Sequence, residues 1–155
     1  MRAVLTRVKN ASVTIDGSVV GQINKGFLIL LGVGPEDDEE KCRYLAEKAL
    51  SLRVVEDENG KMNLGLSDVG GQVLVVSQFT LYGNCRKGRR PSFTEAAGPE
   101  LGNRLYEKFL EYCAELGYAP QHGIFGADMQ VASVNDGPVT LILDTDVLLD
   151  TPRRK

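Results

Sequence analysis

The sequence predicts an α/β fold: one layered domain, a mixed β-sheet with an N-terminal hairpin, and two helices packed on the sheet. Three observations carry this. Apolar runs of strand length occur at 27–33 and 73–76, each bounded by glycine or polar turn residues, as expected for strands buried on both faces. Two longer segments carry their apolar residues at helical spacing instead. Strand and helix signals alternate through the middle of the chain while tight-turn dipeptides mark hairpins, so parallel and antiparallel pairing share one sheet.

The elements follow in order. Residues 2–9 alternate, with Ala3, Leu5 and Val8 set against Arg2, Thr6 and Arg7 and some slippage of phase, and 11–15 continue the strand. Asp16-Gly17 is a two-residue hairpin signal, and Val19, Val20 and Ile23 lie on the return strand. Lys25-Gly26 turns the chain into the buried run 27–33, which Gly34-Pro35 stops. Asp37 or Asp38 caps a helix with an acidic first turn. Its apolar residues Cys42, Leu45, Ala46, Ala49 and Leu50 fit the i, i+3, i+4, i+7, i+8 template. Val54-Val55 and Met62 flank Asn59-Gly60, a second hairpin signal. Pro99 suits the first turn of the second helix, whose face carries Leu101, Leu105, Phe109, Tyr112, Cys113 and Leu116, with Gly117 just past its end. Strands are expected at 123–126, 129–134 and 139–143, the last two separated by Asn135-Asp-Gly-Pro138. The domain spans 1–150, and 151–155 reads as a frayed tail.

Composition narrows the class. The 155 residues suffice for one domain with a core, and 43% apolar with 25% charged residues is ordinary for a soluble globular protein. No apolar run approaches the ~20 residues that span a bilayer. The N-terminus enters alternating structure directly, without a signal-peptide pattern. Cys42, Cys85 and Cys113 are scattered and odd in number, which fits a reducing cytoplasm rather than a disulfide framework. They form no metal-ligand spacing, and neither a metal nor a cofactor is expected. A net charge of −3 excludes a protein that coats nucleic acid, so any such contact is local.

The stretch 71–81 is where chemistry is expected. Its buried run Val73 to Val76 turns abruptly polar at Ser77, Gln78 and Thr80, and the carboxyl end of a buried strand is where α/β proteins place ligands. Thr80 is a candidate nucleophile by position, but no base stands beside it in sequence, and a threonine bonding the backbone is the competing reading. Ser77 and Gln78 either orient a substrate amide or hydroxyl or cap the strand edge. Arg86, Lys87, Arg89 and Arg90 crowd the following loop and suit a phosphate, unless they are only a solvated turn. Phe93 and Phe125 offer either core packing or a stacking face. His122 is the one histidine and has no ligand spacing around it. Asp144 and Asp146 form a carboxylate pair of solvated character. Gly32-Val-Gly34 lacks the context of a phosphate fingerprint. Gly137-Pro138 marks a turn or a strand start, because proline cannot sit within a central strand.

Two stretches, Ser77-Gln-Phe-Thr-Leu81 and Asn135-Asp-Gly-Pro-Val-Thr140, resemble the two signature motifs of D-aminoacyl-tRNA deacylases. The resemblance extends to Arg7-Val8 with Ala11-Ser-Val-Thr14, Leu30-Leu-Gly-Val33, Gly60-Lys-Met-Asn63, Arg90-Pro-Ser-Phe93 and Asp128-Met-Gln-Val131, and so spans nearly the whole chain. It implies a homodimer, without membrane attachment, that hydrolyses the ester joining a D-amino acid to the 3′-terminal adenosine of tRNA, and also glycine mischarged on tRNA-Ala. It implies that Ser77, Gln78, Phe79 and Thr80 line the ester and ribose, with backbone groups and the tRNA 2′-hydroxyl doing the chemistry. Gly102, where the family often has alanine, Phe125 and Met129 then border the adenosine or aminoacyl pocket. Gly137-Pro138 is expected to be cis and inserted into the partner subunit's site, excluding an L side chain. The competing functions are an esterase or amidase with Thr80 as nucleophile and a non-catalytic RNA-binding dimer.

Overall fold

The computed structural model describes residues 1–150; the expected tail at 151–155 lies outside the described residues. Strands β1 (Arg2–Ile15) and β2 (Ser18–Ile23) form the N-terminal hairpin, turned by Asp16 and Gly17 at φ 49° and 80°. Positive φ at both turn residues matches the right-handed twist of the flanking strands. β3 (Gly26–Gly32) runs antiparallel to the first half of β1, and β6 (Gln72–Ser77) runs parallel to β3, from Gly26 beside Gln72 to Leu31 beside Ser77. β7 (Gln121–His122) extends the parallel part, and a small separate hairpin joins β4 (Val55–Glu56) to β5 (Met62–Leu64). β8 (Gln130–Asp144) lies along the other side of β1. The sheet is thus mixed, as expected.

The sheet is also nearly closed. Its path runs β2-β1-β3-β6-β7, and its two ends meet: a Cβ placed on Gly21 would lie 2.7 Å from the carbonyl oxygen of His122. Val8, Ala11, Val13, Ile23, Leu28, Leu74 and Val76 fill the inner side. The larger cluster, including Leu5, Phe27, Ile29, Val73 and Val75, covers the outer side, where the helices pack. Alternation along β6 divides its residues between the two.

Helix α1 (Glu39–Ser51) is capped by Asp38, whose carboxylate accepts from Lys41 N at 2.9 Å, and it buries Cys42, Leu45, Ala46, Ala49 and Leu50. Full burial of a leucine is worth roughly 1.5–3 kcal/mol, so Leu45 and Leu50 anchor it to the sheet. Helix α2 (Pro99–Glu115) buries Gly102, Leu105, Tyr106, Phe109 and Cys113, and Gly117 takes φ 96° beyond its end. Of the residues expected on its inner face, Leu101 and Tyr112 are only half-buried and Leu116 is exposed, because the stripe is rotated toward Gly102 and Tyr106.

Three expectations need correction. Residues 123–126 form a loop, since β7 ends at His122 and the ladder to β6 stops there, with Gly123 N donating to Val75 O at 3.3 Å. The two C-terminal strands are one: β8 keeps a single direction on both sides of Gly137-Pro138, because β1 is long enough to pair with both halves. A third helix, α3 (Thr145–Leu149), follows β8, with Asp144 as its cap.

Candidate active site

β6 ends at Ser77, and the chain folds at once into a 3-10 turn, Phe79–Tyr82. Two glycines make room for it. A Cβ on Gly32 would lie 3.1 Å from Leu81 Cβ and 3.2 Å from Gln78 O, and one on Gly34 would lie 3.1 Å from the Tyr82 hydroxyl. Gly32-Val-Gly34 is therefore a packing platform. The Arg2 guanidinium lies over the Tyr82 ring at 4.4 Å, and the Tyr82 hydroxyl donates to Asp37 Oδ2 at 3.5 Å. Burial, reinforced by the Asp37 carboxylate, pushes the Tyr82 phenol well above its ordinary range.

The turn presents the residues that the sequence singled out. Gln78 N donates to Leu31 O at 2.8 Å, while its side-chain Nε2 donates to Thr80 Oγ1 at 2.6 Å. A side-chain amide nitrogen has no lone pair to take a proton, so this partner does not activate the hydroxyl. Phe79 and Thr80 open the turn, where no carbonyl of the turn itself reaches their amides. Phe79 is 57% exposed and meets Phe93 edge to face, with centroids 5.3 Å apart.

Behind the turn lies a narrow cleft. Leu31, Val33 and Ser77 form one side with Gln78 and Phe79, and Ala97, Gly102, Tyr106 and Phe125 the other. A Cβ on Gly102 would lie 3.2 Å from Phe125 Cζ. The Tyr106 hydroxyl donates to Val75 O at 3.1 Å, and burial pushes its pKa up to about 12. The cleft holds about 20 Å³. Small-molecule sites usually hold several hundred, so the cleft is narrower than an aminoacyl-adenosine requires and must widen to admit one.

A second feature lies on β8. Between the pairs Thr6–Thr140 and Val8–Asn135, β1 has one residue, Arg7, and β8 has four, 136–139. The excess leaves the ladder as a corner containing Gly137-Pro138, whose peptide bond is cis. Asn135 ties its ends: Nδ2 donates to Thr140 Oγ1 at 2.8 Å, and Oδ1 accepts from Val139 N at 2.9 Å. Arg7, only 6% exposed, holds it from below through Nε to Asp136 O at 2.9 Å. Its Nη1 donates to Val54 O at 2.7 Å and to Glu56 Oε2 at 2.8 Å. The hydrogen bond from Arg7 keeps the Glu56 carboxyl below its usual range. A Cβ on Gly137, at φ 138°, would meet Arg7 Nη2 and Val139 Cγ2 at 2.9 Å. The corner's neighbours are Arg7 and Val139, and within one chain it is not part of the cleft wall.

The remaining residues singled out in the sequence are dispersed. Met129 packs with the inner core, its sulfur over Gly123, and does not line the cleft. His122 is exposed and donates from Nδ1 to Gly123 O at 2.7 Å. Asp144 pairs with Arg2 at 3.0 Å and caps α3 by accepting from Asp146 N, so the two aspartates are a helix cap rather than a carboxylate pair. Arg86, Lys87 and Arg90 line a separate cavity with Asn84 and Ser92, from which Arg89 is absent. Among the described residues, no three His, Cys, Asp or Glu are grouped to hold a metal ion, and no helix is long and apolar enough to cross a membrane.

A family model described as D-Tyr-tRNA(Tyr) deacylase matches residues 4–144. The chain belongs to that family. A D-aminoacyl-tRNA deacylase of Thermosipho africanus is 57% identical over 94% of this chain and 97% of its own. One from Desulfatibacillum aliphaticivorans is 59% identical over 94% and 99%. Among solved structures, the c-Myc DNA Unwinding Element Binding Protein superposes with a TM-score of 0.86 at 41% identity, covering 93% of this chain and 98% of that one. Both motif stretches of this deacylase-family chain lie inside the matched region: one forms the cleft-side turn, the other the corner over Arg7. Sequence reasoning missed Tyr106, although its spacing from Gly102, Phe109 and Cys113 follows the buried stripe of α2. It also placed Arg7 on the polar side of β1.

Proposed function

We propose that the protein hydrolyses the ester bond of D-aminoacyl-tRNA, releasing the free amino acid and tRNA. Family membership across nearly the whole chain carries this reading, and the polar turn beside a narrow cleft is compatible with it. Ser77, Gln78, Phe79 and Thr80 receive the ester and the terminal ribose. The amides of Phe79 and Thr80 stabilise the tetrahedral oxyanion, a contribution of roughly 3 kcal/mol per donor. The tRNA 2′-hydroxyl assists, and Thr80 is not the nucleophile, because its hydroxyl faces a hydrogen-bond donor. Gly102 and Phe125 border the nucleoside.

Chirality is read by a second copy. In a homodimer, the Gly137-Pro138 corner of one subunit enters the cleft mouth of the other and presents backbone where an L side chain would have to sit. Glycine has no side chain to exclude, so glycine mischarged on tRNA-Ala is also cleaved. The enzyme works in the cytoplasm, where charged tRNA is used. The test is deacylation of matched D-aminoacyl-, L-aminoacyl- and glycyl-tRNA by the purified protein. The D and glycyl esters are expected to be cleaved and the L ester spared. Equal cleavage of both enantiomers overturns the gate, and cleavage of none overturns the activity.

A further inference from the structure

A second cavity lies outside the cleft. It measures about 650 Å³ and is lined by Asn84, Arg86, Lys87, Arg90 and Ser92. Its rim holds three cations, two neutral hydrogen-bonding residues and no carboxylate. Among the described residues none of the three cations has an ion-pair partner, in a chain whose net charge is −3. Positive charge is thus concentrated here against the overall balance, which attracts a polyanion locally.

The loop has a defined shape. Asn84 and Ser92 pair as an antiparallel bridge, with N···O distances of 2.7 and 2.8 Å, and Gly88 turns the tip at φ 62°. Asn84 Oδ1 accepts from Arg86 N at 2.9 Å, so the remaining hydrogen-bonding capacity of that side chain is chiefly its Nδ2 donors. Arginine forks suit phosphate oxygens, and a rim without apolar residues does not suit a hydrophobic ligand. The loop adjoins the cleft directly: Gly83 packs under Phe93, and Phe93 meets the cleft residue Phe79.

We infer that Arg86, Lys87 and Arg90 bind the phosphodiester backbone of the substrate's single-stranded 3′ end while the cleft receives the terminal aminoacyl-adenosine. Arg89 lies off the cavity and takes no part. This rests on the reading of aminoacyl-tRNA as the substrate. Binding here is independent of base sequence and of the amino acid, and it is sensitive to salt.

The test uses the full chain and two substrates, D-aminoacyl-tRNA and D-aminoacyl-adenosine, the second of which has no phosphodiester. In Arg86→Gln/Lys87→Gln/Arg90→Gln, the ratio of kcat/KM for the tRNA to that for the adenosine ester is expected to fall at least tenfold. The fall should lie in KM, and Arg89→Gln should keep the wild-type ratio. Uncharged tRNA, followed by fluorescence anisotropy, should lose roughly 20-fold in affinity between 50 and 200 mM salt for three single-strand phosphate contacts, and the triple variant should lose only a few fold. An unchanged ratio and salt slope in the triple variant overturn the inference. So does inorganic phosphate that binds in the cavity without weakening tRNA binding at matched ionic strength, since the cavity would then hold only a small free anion. If the wild type cleaves neither ester, the proposed function itself fails, a result distinct from both of these.

Discussion

The Arg7 guanidinium donates to the carbonyl oxygen of Asp136 at 2.9 Å, joining residues 129 positions apart in the chain. The acceptor immediately precedes Gly137, and the same guanidinium also ties down Val54 O. Arg7→Gln is short of both acceptors and leaves the buried Val54 carbonyl and the half-buried Asp136 carbonyl unpaired, which should cost roughly 2–3 kcal/mol. Urea unfolding should register that loss. Discrimination between D- and L-aminoacyl-tRNA should narrow in the surviving folded protein, because the corner loses its support. Unchanged stability together with unchanged discrimination would show that the corner holds its place without Arg7.

Thr80→Val removes the acceptor of Gln78 Nε2 and nothing that takes a proton. Its kcat on D-aminoacyl-tRNA should fall by less than about tenfold, because the proposed oxyanion donors are backbone amides. Abolished turnover with unaltered substrate binding would restore the hydroxyl as nucleophile.

Gly102→Ala tests the cleft wall. Alanine gains about 1 kcal/mol of helix propensity in α2, while its Cβ, 3.2 Å from Phe125 Cζ, presses that ring outward. Phe125 follows β7 in a half-buried loop and can yield, so thermal stability should hold or rise slightly. Because Phe125 borders the proposed nucleoside site, KM should change more than kcat. A clear drop in the melting temperature would mean that the ring cannot move.

Alkaline stability has a definite sign. Burial pushes both Cys42 and Cys113 from 9.0 up to about 12, with Cys113 adding to the effect on Cys42. The folded state therefore keeps these protons where the unfolded state releases them. Their contribution is fully present below pH 9 and is lost as pH rises toward 12. Between about pH 9 and pH 10 the tyrosines add little, since their ordinary value is 10.0. The urea midpoint of the wild type should fall across that interval, and that of Cys42→Ala/Cys113→Ala should be flatter. Parallel curves would assign the slope to other groups.

What could be read from the sequence was local. Asp16-Gly17 requires positive φ, and the five buried residues of α1 repeat at helical spacing, so the hairpin and the first helix were visible without a partner. The polar break at Ser77 likewise exposed the turn beside the cleft. What stayed hidden depends on distant pairing. The continuity of β8 through Gly137-Pro138 exists only because β1 offers a second stretch to pair with, and no local signal distinguishes that from a turn. The role of Arg7 was concealed for the same reason: it is buried in phase with Ala3 and Leu5, and its acceptors, on Val54 and Asp136, are distant in sequence. Met129 was drawn toward the site by its motif, while packing over Gly123 decided its place.

The bulge in β1 has a genetic consequence. Ala3 and Leu5 belong to the outer core, whereas Val8, Ala11 and Val13 belong to the inner one; alternation alone places Val8, and one extra residue, Lys9, between the pairs Val8–Asn135 and Asn10–Val134 brings Ala11 and Val13 to the same face. Deleting one residue between 2 and 6 would reverse the facing of everything on one side of the cut, because side chains alternate with period two, whereas deleting Lys9 removes only the extra residue and leaves Ala11 and Val13 facing inward with Val8. Length is therefore constrained more tightly in the regular part of β1 than at its bulge: substitutions at exposed Lys9 and Asn10, and deletion of Lys9, should be tolerated, and single-residue insertions or deletions between 2 and 6 should not.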